Sequence, residues 1–271
     1  MKNVKVGCQT FTWEMLGGAW KGDADDLLRA IALGGYEGIE ITDTMIGRYA
    51  DSPAEFAAKL GLYGLALVSF AFGSKSGFTI QEEIANDLKT TERWVEFAAQ
   101  FPGALVSVGS ATVMSEGPRE DKFVIAADFY NRVAEIARKA GVDLAVHPSS
   151  HHNTLLFNRA DYDRLFALLD PELVGWVPDT GHILRGHKDI LNTLRTYQAR
   201  IRYLHLKDVD GDGQWAMLGK GVCDVNAVID IVRAGPHFTG WLVLEEESAV
   251  AAKDPAAAVK VNRDTMRAYG F

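Results

Sequence analysis

Short runs rich in Val, Ile and Leu alternate with amphipathic stretches along the whole of this 271-residue chain. The strand-like runs are 4–9 (VKVGCQ), 38–42 (GIEIT), 64–69 (LALVSF), 104–109 (ALVSVG), 142–147 (VDLAVH), 173–178 (LVGWVP), 201–206 (IRYLHL) and 240–245 (GWLVLE). Apolar runs this short and continuous mark strands buried on both faces, as in a parallel sheet. Helices are expected over 24–33, 53–62, 81–100, 121–140, 159–169, 188–199, 225–234 and 254–268. Asp23, Ser52, Thr79 and Asn158 stand where helix N-caps belong, and Gly61 and Gly141 where helices close.

Eight strands and eight helices in strict alternation, at about 34 residues per unit, predict a single (β/α)8 TIM barrel over residues 1–271. A doubly wound open sheet is the competing layout. Its glycine fingerprint is missing, because the turn after the first strand reads QTFTWEM. No Pro/Gly/Ser tract or block of like charge divides the chain.

A formal net charge of −8 and a pI near 5.4 argue against a nucleic-acid partner, which calls for a basic face. Cys8 and Cys223 are far apart, so reduced thiols and a reducing compartment are expected. No signal-like segment or apolar run of membrane-spanning length is seen, which makes the cytoplasm the expected location and a membrane partner unexpected.

Chemistry in a β/α barrel is expected at the C-terminal strand ends. Four late strands end there in metal-ligand residue types: His147, Asp179, His205 and Glu245. Their separations (147 to 179, 179 to 205, 205 to 245) are each close to one βα repeat, so the four side chains can converge. A lone His or Asp at a strand end is more often a hydrogen-bonded surface residue. Four in successive repeats are hard to attribute to chance. Two imidazoles with two carboxylates suit one divalent Mn, Zn, Co or Fe ion better than Mg.

Several motifs together resemble the xylose-isomerase-like sugar isomerase/epimerase barrels. They are GYEGIEI around Glu40, LAVHP ending the fifth strand, DTGH at 179–182, HLKD at 205–208, the G-x-G of Gly219 and Gly221, and GWLVLEEE. The resemblance covers nearly the whole chain. It implies that Asp179, His205 and Glu245 are metal ligands and that His182 and Lys207 contact substrate oxygens.

One position departs from the pattern. Epimerases of the group carry a glutamate at the end of the fifth strand, where this chain has His147. Stereoinversion needs a base on one face and an acid on the other. The His-rich end of the fifth strand and the tail GWLVLEEES resemble inosose dehydratases instead. The expected activity is metal-dependent isomerisation or epimerisation of a small keto-sugar or polyol through proton abstraction beside a carbonyl and an enediolate. A dehydratase (lyase) acting on a keto-cyclitol is the alternative.

Expected catalytic residues are Glu245, His147, Lys207 and His182. Expected substrate contacts are Trp13, by ring stacking, with Glu40, His151, His152 and Glu247. Packing under a loop, solvated loop histidines and a structural salt bridge are the plainer readings of Trp13, His151/His152 and Glu40. An endonuclease IV-like nuclease is disfavoured by the acidic charge, and a non-catalytic sugar-binding barrel by retention of all four candidate ligands. No basic cluster or glycine-rich cradle stands near the last two strands, so an unphosphorylated carbohydrate or cyclitol is the expected partner. Barrels of this kind often associate as homo-oligomers.

Asp208, Asp210 and Asp212 imitate an EF-hand loop, but its twelfth position is Gly219 rather than Glu, so calcium is not expected there.

Overall fold

A computed structural model describes residues 4–151, 153–186 and 188–271. Eight parallel strands form one curled sheet: Lys5–Gln9, Gly38–Thr42, Ala66–Phe72, Leu105–Val108, Asp143–Val146, Val174–Trp176, Leu204–Leu206 and Trp241–Leu244. The first strand lies between the second and the eighth, and the ladder runs sixth-fifth-fourth-third-second-first-eighth-seventh. Two parallel bridges, Trp176 to Ile201 and Asp179 to His205, join the sixth strand to the seventh and close the barrel. The (β/α)8 TIM barrel read from the sequence is therefore borne out.

Side chains alternate across the strands and sort into two cores. Val68, Leu105, Ala145, Val177, Tyr203 and Val243, with Trp241, form a cluster inside the barrel. A much larger cluster fills the layer between sheet and helices, with Ile39, Ile41, Val106, Leu144, Trp176 and Leu244 facing outward into it. Each fully buried Leu- or Val-sized side chain contributes about 1.5–3 kcal/mol, so this layer supplies most of the driving force. The inner plug is small because glycines leave it room. A Cβ on Gly38 would stand 2.6 Å from Val68 Cγ2 and 2.8 Å from the Trp241 ring.

The helices form where the periodicity places them, with differences at their ends. Asp23 and Asn158 accept the expected capping hydrogen bonds, from the Asp26 and Asp161 amides. Ser52 precedes helix Pro53–Tyr63 but makes no side-chain cap bond. Thr79 caps nothing: its hydroxyl bonds the Thr112 carbonyl, and the next helix starts at Ile84 after a 3-10 turn. Gly61 lies within its helix, which closes instead at Gly64 with φ +65°. The segment expected as one helix over 188–199 is shorter, Ile190–Thr196. An additional helix, Thr180–Gly186, starts directly after the sixth strand. It forms because Asp179 caps it, accepting from the His182 amide at 2.7 Å. No helix among the described residues is long and apolar enough to cross a membrane.

Replacing Gly38 with Ala should overpack the inner plug and cost about 1–3 kcal/mol of stability, read as a lower urea midpoint with unchanged slope.

Candidate metal centre and active site

The polar layer lies directly above the apolar plug, at the C-terminal mouth. The residues that carry it are held by main-chain bonds continuing the sheet past its assigned ends. The His147 amide donates to the Val108 carbonyl at 2.9 Å, that of His205 to Pro178 at 2.9 Å and that of Glu245 to Leu206 at 3.2 Å. Thr180 locks the closing seam, because its hydroxyl accepts from the Lys207 amide at 2.8 Å and donates to the Lys207 carbonyl. The DTGH and HLKD motifs thus dock against each other.

His147, Asp179, His205 and Glu245 present ligand atoms that all lie within 4.8 Å of one another. His147 Nε2 is 3.0 Å from His205 Nδ1, which is 2.9 Å from Glu245 Oε2. Asp179 Oδ2 lies 3.8 Å from both His147 Nε2 and His205 Nδ1. That oxygen is buried and accepts no hydrogen bond from the described residues, whereas its partner Oδ1 caps a helix. A buried carboxylate oxygen left unpaired is costly. The convergent N/O set and the orphaned oxygen fit a divalent cation.

Glu40 stands behind His205, its Oε2 2.9 Å from Nε2. A carboxylate there orients the ring and raises the basicity of Nδ1, as second carboxylates do behind metal-binding histidines. Burial works against a charged His205, yet Glu40 and Glu245 raise it to about 10. Glu40, expected as a substrate contact, holds this place behind His205 and also borders the cavity described below.

The last strand sends Glu245 and Glu247 to the inside and Glu246 outward. Glu246 accepts from Asn262 Nδ2 at 2.7 Å and from the Ser248 amide at 2.7 Å, tying the strand end to the C-terminal helix. Lys207 Nζ bridges Glu245 Oε1, at 2.6 Å, and Glu247 Oε1. Burial opposes the charge on Lys207, but Glu245, Asp179 and Glu247 hold its pKa above the ordinary value. Burial would raise Glu245 as well, yet Lys207 and His205 hold it well below the carboxylate range. Lys207 is 2% exposed and does not line the cavity. Direct contact with substrate oxygens, expected from the resemblance, is therefore not where the structure places it.

Sequence reading missed Trp215. It sits on a small hairpin, Asp208–Val209 against Trp215–Ala216, and its ring lies 4.3 Å from Lys207 Nζ and 4.3 Å from the Arg185 guanidinium. The indole shields the Lys207 ammonium from water, which strengthens the pairs beneath it. Gly181 makes this approach feasible, since a Cβ there would stand 2.7 Å from the indole and 3.0 Å from Lys207 Cγ. Asp208 shapes the same loop: its carboxylate accepts from the amides of Gly219, Gly221 and Cys223, each at 3.0 Å, and of Val209 at 2.9 Å. A Cβ on Gly221 would meet Val209 O at 2.1 Å, which explains the G-x-G.

His182 lines the cavity. Its Nδ1 accepts from the Ser150 amide at 3.0 Å, and burial drives the ring well below the usual imidazole range. A neutral ring accepting at Nδ1 carries its proton on Nε2, an assignment inferred from that bond.

The cavity above the cluster holds about 250 Å³, room for one small ring. Gln9, Phe11, Glu14, Thr42, Asp43, Phe72 and Ser149 border it together with His147, His151, His182, His205, Glu40, Glu245 and Glu247. Trp13 does not line it. That side chain is 3% exposed, packed in the core at the turn Phe11–Glu14, so Phe11 and Glu14 face the cavity in its place. His152 lies outside the described residues.

Removing the Lys207 charge while keeping its bulk, as in Lys207→Met, leaves two buried carboxylates uncompensated. A loss of about 3–5 kcal/mol in unfolding free energy is expected from urea titration.

The chain is 28% identical over 275 residues to an inosose dehydratase of Geobacillus kaustophilus, covering 89% of this chain and 85% of that one. It is 27% identical over 251 residues to an inosose dehydratase of Salmonella typhimurium, covering 82% and 80%. Among solved structures, the E. coli 3-keto-D-glucoside 4-epimerase YcjR superposes with a TM-score of 0.78 at 20% identity, over 98% of this chain and 100% of that one. The IOLI protein with a bound zinc atom superposes at 0.76 and 16% identity, over 97% and 96%. Residues 28–269 match the family model described as the xylose isomerase-like TIM barrel, and the chain belongs to that family.

Proposed function

We propose that this protein is a metal-dependent enzyme that removes the proton beside the carbonyl of a small keto-polyol and then expels a β-hydroxyl as water. The observation that carries the reading is the convergence of His147, Asp179, His205 and Glu245 at the mouth of a ring-sized cavity. The same four residues would hold the ion, which when bound would polarise the substrate carbonyl.

The rest is done by this chain's own side chains. Glu245, kept ionised by Lys207, takes the α-proton. The electron pair left behind forms the enediolate and then the C=C bond as the C–O bond to the β-hydroxyl breaks. His182 Nε2–H hydrogen-bonds to the departing oxygen, and the proton that Glu245 took from carbon passes to that oxygen, so the leaving group is water and Glu245 is again a carboxylate. Trp215 over Lys207 and the closed seam at Thr180 keep the base dry. The zinc-bearing structural neighbour and the dehydratase relatives support this reading.

His147 favours elimination over epimerisation. A second carboxylate at the end of the fifth strand would place matching acid and base on opposite faces of one carbon, and His147 breaks that symmetry. Isomerisation or epimerisation is the second reading, supported by the glycoside epimerase neighbour and by the enediolate that all these chemistries share.

The test is incubation of the zinc- or manganese-loaded protein with inososes and keto-hexoses in D₂O. Release of an unsaturated ketone, seen by ultraviolet absorbance, is the expected result. Solvent deuterium uptake without loss of water would shift the assignment to isomerisation, and no exchange on any of these compounds would sink it. Chelation should abolish turnover, and elemental analysis should find about one metal per chain. Glu245→Gln should reduce turnover by about 10²-fold or more.

Glu40→Gln removes the carboxylate charge behind His205, at the border of the cavity, while keeping its bulk. Metal affinity should fall about 10–100-fold, measured by competition with a chelating dye.

A further inference from the structure

We infer that the far wall of the cavity, built by Glu14 and Asp43 beside Phe11 and Phe72, selects an uncharged polyol ring and turns away phosphorylated or carboxylated substrates. The inference rests on the proposed function in taking this cavity as the substrate site.

Glu14 and Asp43 follow the first and second strands, across the barrel from the fifth and sixth strands that carry His147 and Asp179. Both are half-buried and both border the cavity. Glu14 Oε2 accepts from Thr42 Oγ1 at 2.6 Å, and that hydroxyl lies 3.0 Å from Thr44 Oγ1, so a short polar chain aims the carboxylate. Neither acid forms a salt bridge among the described residues, and no described Lys or Arg borders the cavity.

The contrast with Asp25 is instructive. On the outer surface that carboxylate is bonded by Arg48 and Tyr49 and lies 3.3 Å from Lys59. Asp25 thus has cationic partners, whereas Glu14 and Asp43 border the cavity with no ion pair among the described residues.

Burial and the neighbouring Glu14 charge also push Asp43 up to about 6. That repulsion costs stability in the free protein and is relieved by hydroxyl donors. Charge-assisted hydrogen bonds from a polyol to a carboxylate are among the stronger neutral-to-ion contacts. Phe11 and Phe72 beside the acids offer an apolar surface for the C–H face of a ring. A phosphate or carboxylate on the substrate would instead meet two negative charges in a partly dry pocket, where Coulomb repulsion is weakly screened.

The experiment uses the metal-loaded full chain, with myo-inositol and myo-inositol 1-phosphate as probes in calorimetry. The wild type should bind the neutral ring about 100-fold or more tightly than its phosphate ester. The isosteric double variant Glu14→Gln/Asp43→Asn should lose about tenfold for myo-inositol and gain for the ester, so that the preference collapses. Equal or tighter binding of the ester by the wild type would overturn the inference, as would binding of neither probe or an unchanged preference in the double variant. Circular dichroism checks that the variant is folded. Failure of the catalytic reading remains separately visible: selective binding as stated, with no solvent exchange on any keto-polyol, would sink the chemistry and keep the selectivity.

Discussion

The seam between the sixth and seventh strands is the contact on which the site depends. The sixth strand is only three residues long, Val174–Trp176, and meets the seventh through two isolated bridges rather than a continuous ladder. One of those bridges joins Asp179 to His205, and Thr180 clasps the main chain of Lys207 on both its amide and its carbonyl. Closing the barrel and assembling the charged cluster are therefore one event. Were the seam open, Asp179 and His205 would belong to opposite edges of a sheet.

Closure places several ionisable groups in a region with little water. Isolated, each would be strongly disfavoured. They are tolerated because every charge has a named neighbour: Lys207 between Glu245 and Glu247, His205 between Glu40 and Glu245, and Asp179 Oδ1 on a helix start. The exception is Asp179 Oδ2, which lies 3.8 Å from both imidazoles in an arrangement that fits a divalent cation. A buried charge network without full compensation is retained where it serves function more than stability.

Much of the architecture was legible because two periodicities were strong. Buried parallel strands read as apolar runs, and helices such as Val225–Arg233 read as amphipathic stripes. Helix ends were less legible. Gly61 and Gly64 are equally plausible stops on paper, and only the positive φ at Gly64 separates them. Thr79 looked like a cap but spends its hydroxyl on the Thr112 carbonyl, a partner 33 residues away. Trp13 and Glu14 are adjacent, and which of them faces the cavity depends on one short helical turn. Trp215 carried no local signal, since its role arises from Lys207, Arg185 and Gly181, which lie close only after folding.

By itself the amino-acid order determined the eight barrel strands, the eight helices that follow them and which strand ends carry His147, Asp179, His205 and Glu245. Those facts follow from local periodicity and from the rule that successive βα repeats are neighbours. Only the tertiary structure decided how the charges are shared. It sets Lys207 beneath Trp215 rather than in the cavity, Glu40 behind His205, Glu246 on the C-terminal helix, and Glu14 with Asp43 on a cavity wall that no described Lys or Arg borders. The physical reason is range. Periodicity is settled over a few residues, whereas burial and the pairing of charges depend on groups brought together from distant parts of the chain.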